Sequence, residues 1–143
     1  MHRARRTLSD CTIMKLRMKL LVVEDAAQVQ RRLQELLYEL SKVEVVGLAN
    51  SAATAILLLK AHRPETVIVD LHLSDGSGLD VIKAVKEAAP ETQIVVLAKE
   101  EETESRAEAL ACGADYFFDQ GEKVERVQGL VRLLSNIRHR AIS

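Results

Sequence analysis

The sequence predicts an α/β domain built on a five-stranded parallel sheet with helices on both faces. Short apolar runs alternate with amphipathic stretches five times, about every 22 residues, as expected of strand–helix units with parallel strands. The runs at 20–23, 67–69 and 94–97 are continuously apolar, as strands buried on both faces of a sheet must be. Aromatic residues make up only 3% of the chain and Trp is absent, so the interior has to be assembled from Val, Leu, Ile and Ala.

Residues 19–24 form the first predicted strand, and residues 28–40 then place Val29, Leu33, Leu36, Leu37 and Leu40 at helical spacing. The second strand covers 43–49 and the second helix 51–62, with Ser51 as N-cap and Pro64 forbidding continuation. A third strand at 66–70 leads to a helix at 78–89 that stops at Pro90. The fourth strand spans 93–97, followed by a helix over 102–112 closed by Gly113 and a fifth strand at 114–118. The last helix covers 124–137, with Val124, Val127, Leu130, Val131 and Leu134 at core spacing and Arg126, Arg132 and Arg138 in solvent. Right-handed crossovers leave few topologies, and the commonest is the flavodoxin-like strand order 2-1-3-4-5. In it the first and third strands are neighbours at the switch point, and ligand sites form at the carboxyl ends of strands, here after residues 24, 70, 97 and 118.

With 143 residues, 48% of them hydrophobic and 29% charged, the chain reads as one domain with an ordinary core rather than a disordered polymer. No apolar run approaches the roughly 18 to 20 residues of a membrane span, and no signal-peptide stretch follows the basic N-terminus, so a cytoplasmic protein without a membrane partner is expected. The net charge of −1 hides an asymmetry. Residues 1–19 carry six Lys or Arg against Asp10 alone, whereas the remainder has 14 basic and 20 acidic residues. Residues 1–17 are expected to be a disordered basic extension, either a functional tail or a segment upstream of a start at Met14 or Met18. The acidic body argues against direct DNA binding, and the scarcity of aromatics against stacking on single-stranded nucleic acid. Cys11 and Cys112 have neither metal-ligand nor redox spacing, and Cys112 reads as a small apolar residue in a reduced compartment.

The first strand ends in Glu24-Asp25 and the third in Asp70. Any one of these reads as a solvated loop residue, but three at the switch point are expected to converge. Like charges so close raise one another's pKa unless a cation neutralises them, and an all-oxygen ligand set suits Mg2+.

Three motifs, Leu20-Leu-Val-Val-Glu-Asp25, Val67-Ile-Val-Asp-Leu-His-Leu-Ser-Asp-Gly-Ser-Gly78 and Ala109-Leu-Ala-Cys-Gly-Ala-Asp-Tyr-Phe-Phe118, fall at the right strand ends in the right order. On them the chain resembles the receiver domain of two-component response regulators over residues 18–138, with 139–143 as a tail. The resemblance implies that Asp70 accepts a phosphoryl group from a phosphohistidine of a sensor histidine kinase or histidine phosphotransfer protein. It implies that Asp25 and Asp70 ligate Mg2+ directly, Glu24 acts largely through water, and the backbone carbonyl of His72 completes the protein ligands. Gly76 and Gly78 would let the loop turn beside the site. The His72 side chain reads as an exposed imidazole. Its presence excludes a chain similar to haloacid dehalogenase phosphatases, which need Asp at that position. Such a receiver is not itself an enzyme, apart from losing its own phosphoryl group. The residues outside 18–138 being few, it is expected to stand alone, passing the group on or touching a partner on the face of helix 4, strand 5 and helix 5.

The chain departs from the family pattern where the phosphoryl group is sensed. Ala98 occupies the position of a hydroxyl residue, Gln120 that of a lysine and Gly121 that of a proline, while Phe117 falls at the switch aromatic. Neutral hydrogen bonds contribute about 0.5 to 1.5 kcal/mol and charged ones about 1.5 to 3, so losing both contacts removes much of a coupling of about 1 to 3 kcal/mol. A phosphoacceptor with a weak response is expected. A register slipped by one residue, or Lys99 or Lys123 reaching in, would restore the charge. The rival is a phosphorylation-independent pseudo-receiver adaptor. A flavin or nucleotide binder fits poorly, because no Gly-rich phosphate loop follows the first strand. The acidic run at 99–104 reads as a solvated helix N-terminus or a recognition segment.

Overall fold

A computed structural model describes residues 17–98, 103–119 and 124–142. In chain order the elements are β1 (Met18–Val23), α1 (Ala27–Tyr38), β2 (Val43–Ala49), α2 (Ala52–His62), β3 (Thr66–Asp70), β4 (His72–Leu73), β5 (Gly76–Ser77), α3 (Gly78–Ala88), β6 (Gln93–Ala98), α4 (Thr103–Cys112), β7 (Tyr116–Asp119) and α5 (Val124–Ile142). The main sheet is parallel throughout, in the order β2-β1-β3-β6-β7, while β4 and β5 form a small antiparallel hairpin of their own. Counting only the main strands, this is the order 2-1-3-4-5 that the sequence predicts.

The strand alternation divides the interior into two layers. Leu21, Val23, Val67, Val69, Ile94 and Val96 point to one face and pack on Ala52, Ala55 and Leu59 of α2, Val81, Ile82 and Val85 of α3, and Ala109 of α4. Leu20, Val22, Ile68, Val95 and Leu97 point to the other, against Leu33 and Leu37 of α1 and Val127, Val131 and Leu134 of α5. Each large aliphatic side chain buried in this way stabilises the fold by about 1.5 to 3 kcal/mol. Both faces of β1, β3 and β6 are therefore dry up to their carboxyl ends.

Three element ends differ from expectation by two residues or more. The last strand begins at Tyr116 rather than at residue 114, because Ala114 still closes the preceding helix and Asp115 is bonded to the edge of β6 through both its amide and its carboxylate. The Ala114 amide donates to the Ala109 carbonyl beside Gly113 at φ 118°, and the Asp115 carboxylate accepts from the Ile94 amide. The last helix does not stop at 137 but runs to Ile142, so residues 139–142 belong to it rather than to a separate tail. Nothing between Leu130 and Ile142 breaks a helix, and His139 and Arg140 suit the negative end of its dipole. The first helix ends at Tyr38, two residues short, although Leu40 is buried as its spacing implies. Among the described residues no helix is long and apolar enough to cross a membrane. Of the expected basic extension, all but Arg17 lies outside the described residues, as do Cys11, Lys99, Gln120, Gly121 and Lys123.

Gly78 fixes how the chain leaves β3. A Cβ there would lie 2.3 Å from the Asp70 carbonyl oxygen and 2.8 Å from the Leu71 Cα, and the Gly78 amide donates to the Leu71 carbonyl at 2.9 Å. The obstacle is backbone, which cannot rotate aside. Overpacking costs about 1 to 3 kcal/mol and occasionally more, and Gly78→Ala is expected at or beyond the upper end of that range. Urea denaturation checks this, and a loss below about 1 kcal/mol would contradict the contact.

Candidate functional site

β1 and β3 pair directly, with Val23 opposite Val69, so the residues that follow meet at one sheet edge. Glu24 extends the ladder by one step, its amide donating to the Ala49 carbonyl of β2 at 2.9 Å. Asp70 is the last residue of β3. Both are 0% exposed, although they are acidic.

Each carboxylate has one oxygen held by a neighbouring amide. The Asp25 amide donates to Glu24 Oε2 at 3.0 Å, and the His72 amide to Asp70 Oδ1 at 3.0 Å. The remaining oxygens, Glu24 Oε1 and Asp70 Oδ2, are buried with no donor. Burial above all, then the hydrogen bond and the charge of Asp70, push Glu24 from its ordinary 4.5 up to about 8, against the opposing pull of the Asp25 and Ala26 amides. A proton on Glu24 supplies the missing donor between the two groups. Two orphaned carboxylate oxygens also fit a hard divalent cation, which prefers oxygen ligands. Chemically, the pair can hold a proton or a cation beside a half-orphaned nucleophilic oxygen.

Three carboxylates were expected to converge here, and two do. Among the described residues, no three His, Cys, Asp or Glu side chains stand together closely enough to hold a metal ion. Asp25 is half-buried, and the contact it makes with the pair is through its amide. β1 ends at Val23 and Asp25 lies in the bend that follows, so the β1–β3 pairing that sets Glu24 beside Asp70 does not extend to it. His72 is exposed, and its amide donates to Asp70 Oδ1.

At the neighbouring strand end Ala98 is 0% exposed and packs in the core, pairing in register with Asp119. Phe117 is half-buried against the same layer, with the Arg106 guanidinium 5.5 Å above its ring. Gln120, the third switch position, lies outside the described residues.

Two contributors were not singled out from sequence. Gln30 of α1 donates from Nε2 to the Glu24 carbonyl at 3.2 Å and the Ala49 carbonyl at 3.4 Å, tying β1 to β2 beside the pair. Asp75, in the turn between β4 and β5, accepts from the Ala52 amide at 2.8 Å and the Ala53 amide at 3.1 Å, and these two bonds hold its pKa below the ordinary value. The Asp-Gly sequence at 75–76 signals a turn, but nothing local signals a contact with a helix 23 positions earlier.

Residues 20–132 match the family described as the response regulator receiver domain. The chain is 29% identical over 112 residues to the DNA-binding transcriptional activator DevR/DosR of Mycobacterium tuberculosis, covering 78% of this chain and 49% of that protein. It is 32% identical over 130 residues to the transcriptional regulatory protein PhoP of Escherichia coli, covering 88% of this chain and 57% of that protein. The chain thus spans about half the length of the curated relatives it matches. Among solved structures, the signal receiver domain of the putative response regulator NarL from Mycobacterium tuberculosis superposes with a TM-score of 0.76 at 23% identity, covering 84% of this chain and 97% of that one. The response regulator domain of Thermotoga maritima CheB gives 0.74 at 20% identity, covering 87% and 97%. At these identities the structural likeness shows the fold.

The pair makes stability depend on pH with a definite sign. Glu24 binds its proton more tightly folded than unfolded, so its contribution is whole below about 4.5 and is lost as pH rises through about 8. Without added divalent ions, the urea midpoint of the wild type is expected to fall between about pH 5 and pH 8.5, and that of Glu24→Gln to fall less. Equal slopes for the two proteins would contradict the buried pair.

Proposed function

The chain belongs to the response-regulator receiver family, and from that premise we propose that it accepts a phosphoryl group on Asp70 in phosphorelay signalling. The observation that carries this is the state of the Asp70 carboxylate: fully buried at the switch-point end of β3, with Oδ1 fixed by the His72 amide and Oδ2 lacking a protein donor. The donor is a phosphohistidine of a sensor histidine kinase or histidine phosphotransfer protein. Oδ2 attacks phosphorus in line, the phosphorus–nitrogen bond breaks, and the departing imidazole nitrogen keeps the electron pair and takes up a proton. Such transfers need positioning and charge neutralisation more than covalent help from the protein.

This chain's own residues do the positioning. The His72 amide orients the nucleophile, and Gly78 holds the following loop against the end of β3. The apolar layers on both sides keep water away. Mg2+ would be held by the Asp70 carboxylate, the His72 carbonyl and Asp25, whose half-buried carboxylate would have to turn toward the pair, with Glu24 acting through water, and would supply charge neutralisation on the transferred group. The protein has no catalytic turnover of its own beyond loss of that group to water.

The working unit is a receiver beginning near Met18, acting in the cytoplasm and handing on its phosphoryl group or touching a partner with the α4, β7 and α5 face. The relatives include proteins named as DNA-binding and transcriptional regulators. The matched region here is the receiver, and its acidic body is not suited to bind DNA. A second reading, a phosphorylation-independent adaptor, is favoured specifically by Ala98, a buried methyl where the family carries a hydroxyl.

Incubation with a small acyl phosphate and Mg2+, read by intact mass, separates the two readings. The wild type is expected to gain one phosphoryl group and Asp70→Ala none, whereas an unmodified wild type favours the adaptor. Phosphorylation is further expected to displace backbone amide resonances of α4 and β7 only slightly, because the coupling of about 1 to 3 kcal/mol is largely removed with the two contacts. Large shifts across those elements would contradict the weak response.

A further inference from the structure

The loop after β3 holds Asp70 at one end and a helix at the other. The His72 amide bonds Asp70 Oδ1, and the loop closes through the pairs His72 with Ser77 and Leu73 with Gly76 and through the Gly78 amide on the Leu71 carbonyl. At its tip both oxygens of Asp75 are taken by the Ala52 and Ala53 amides. A two-point contact fixes the plane of the carboxylate, and a negative group suits the positive end of α2. The remaining free amides of that first turn are already supplied within the helix, since Thr54 donates to Ser51 Oγ and Ala55 to the Ser51 carbonyl.

α2 in turn follows directly from the strand end that holds the other buried acid. The Ala49 carbonyl accepts from the Glu24 amide and from Gln30, and only Asn50 and Ser51 separate Ala49 from Ala52. These contacts, together with the β1–β3 pairing that sets Glu24 beside Asp70, close a ring: Asp70, His72, the β4–β5 hairpin, Asp75, the first turn of α2, Ala49, Glu24 and back to Asp70. Asp75 is the bond in this ring that joins elements far apart in sequence outside the sheet.

We propose that Asp75 is a positioning residue: by tying the Asp70 loop to the first turn of α2, it holds the His72 amide on the acceptor carboxylate and couples the site to α2. The coupling is reciprocal, so whatever occupies Asp70 also acts on the start of α2. The role proposed for the acceptor rests on the reading of Asp70 given above, and the experiment separates the two.

The full chain is compared as wild type, Asp75→Ala and Asp75→Asn, each checked for folding by its urea midpoint. Hydrogen exchange of the His72 amide is read by NMR, with Val131 of α5 as a distant reference. Phosphoryl uptake from a small acyl phosphate with Mg2+ is timed on the same samples. Asp75→Ala is expected to speed His72 exchange about tenfold while leaving Val131 unchanged, a local rather than global opening. It is also expected to slow uptake severalfold, with Asp75→Asn, which keeps one acceptor, in between. Three results would overturn the proposal: His72 exchange within about twofold of wild type, equal acceleration at Val131, or uptake unchanged despite faster exchange at His72. A wild type that takes up no phosphoryl group while His72 still responds to Asp75→Ala supports the coupling and overturns the acceptor reading instead.

Discussion

Two carboxylates buried against each other at adjacent strand ends are the constraint around which the rest of the site is arranged. Neighbouring strands lie about 4.8 Å apart, so once β1 pairs with β3 the protein cannot separate Glu24 from Asp70. Two like charges about 4 Å apart repel by roughly 4 kcal/mol at an effective dielectric of 20. Burial of both adds a desolvation cost that one amide hydrogen bond each, at about 1.5 to 3 kcal/mol, does not cover. The doubly ionised, metal-free pair is the least favourable state. The pair is relieved by a proton, the direction in which burial pushes Glu24, or by a cation. The same imbalance that costs stability is what makes the site receptive to positive charge.

The dryness that creates this tension is a property of the sheet. β1, β3 and β6 are apolar on both faces, and the alternation of Leu21 and Val23 with Leu20 and Val22 sends side chains to two separate helix layers. Gly78 completes the enclosure by letting the following helix begin against the carbonyl of Asp70 itself. A larger residue there would push the loop outward and let water reach the carboxylates, which would lower the tension and the receptivity together.

What was legible in the sequence follows the range of the interaction that decides each feature. Strands and their order were readable because period and continuity of apolar residues are local signals, and the Glu24–Asp70 pair follows from order alone. Ser51 was readable as a cap because it serves its own helix. Asp75 was not, because it serves a helix it does not precede. Adjacency of β1 and β3 accounts for two of the three carboxylates expected at the site, because the pairing holds Glu24 and Asp70, whereas Asp25 stands half-buried in the bend beyond the strand. β7 starts two residues later than the Gly113 signal implies because Ala114 still bonds back to Ala109 of α4, while Asp115 spends its amide and carboxylate on Ile94 of β6.

Ala98 shows how stability and response compete at the far end of the site. A hydroxyl there would lie at a position that is 0% exposed, where an unpartnered polar group costs about 1 to 3 kcal/mol. It would find its partner only when a phosphoryl group arrived. The methyl avoids that cost in the resting protein and gives up the incentive to move. The Arg106 contact over Phe117 adds about 0.5 to 1 kcal/mol at a partly exposed site. That is too little to lock the aromatic against a full coupling of about 1 to 3 kcal/mol, but comparable to what remains once the hydroxyl is gone. Among the described residues, the amide bonded to the Asp70 carboxylate belongs to its own loop, and through Asp75 that loop leads to α2.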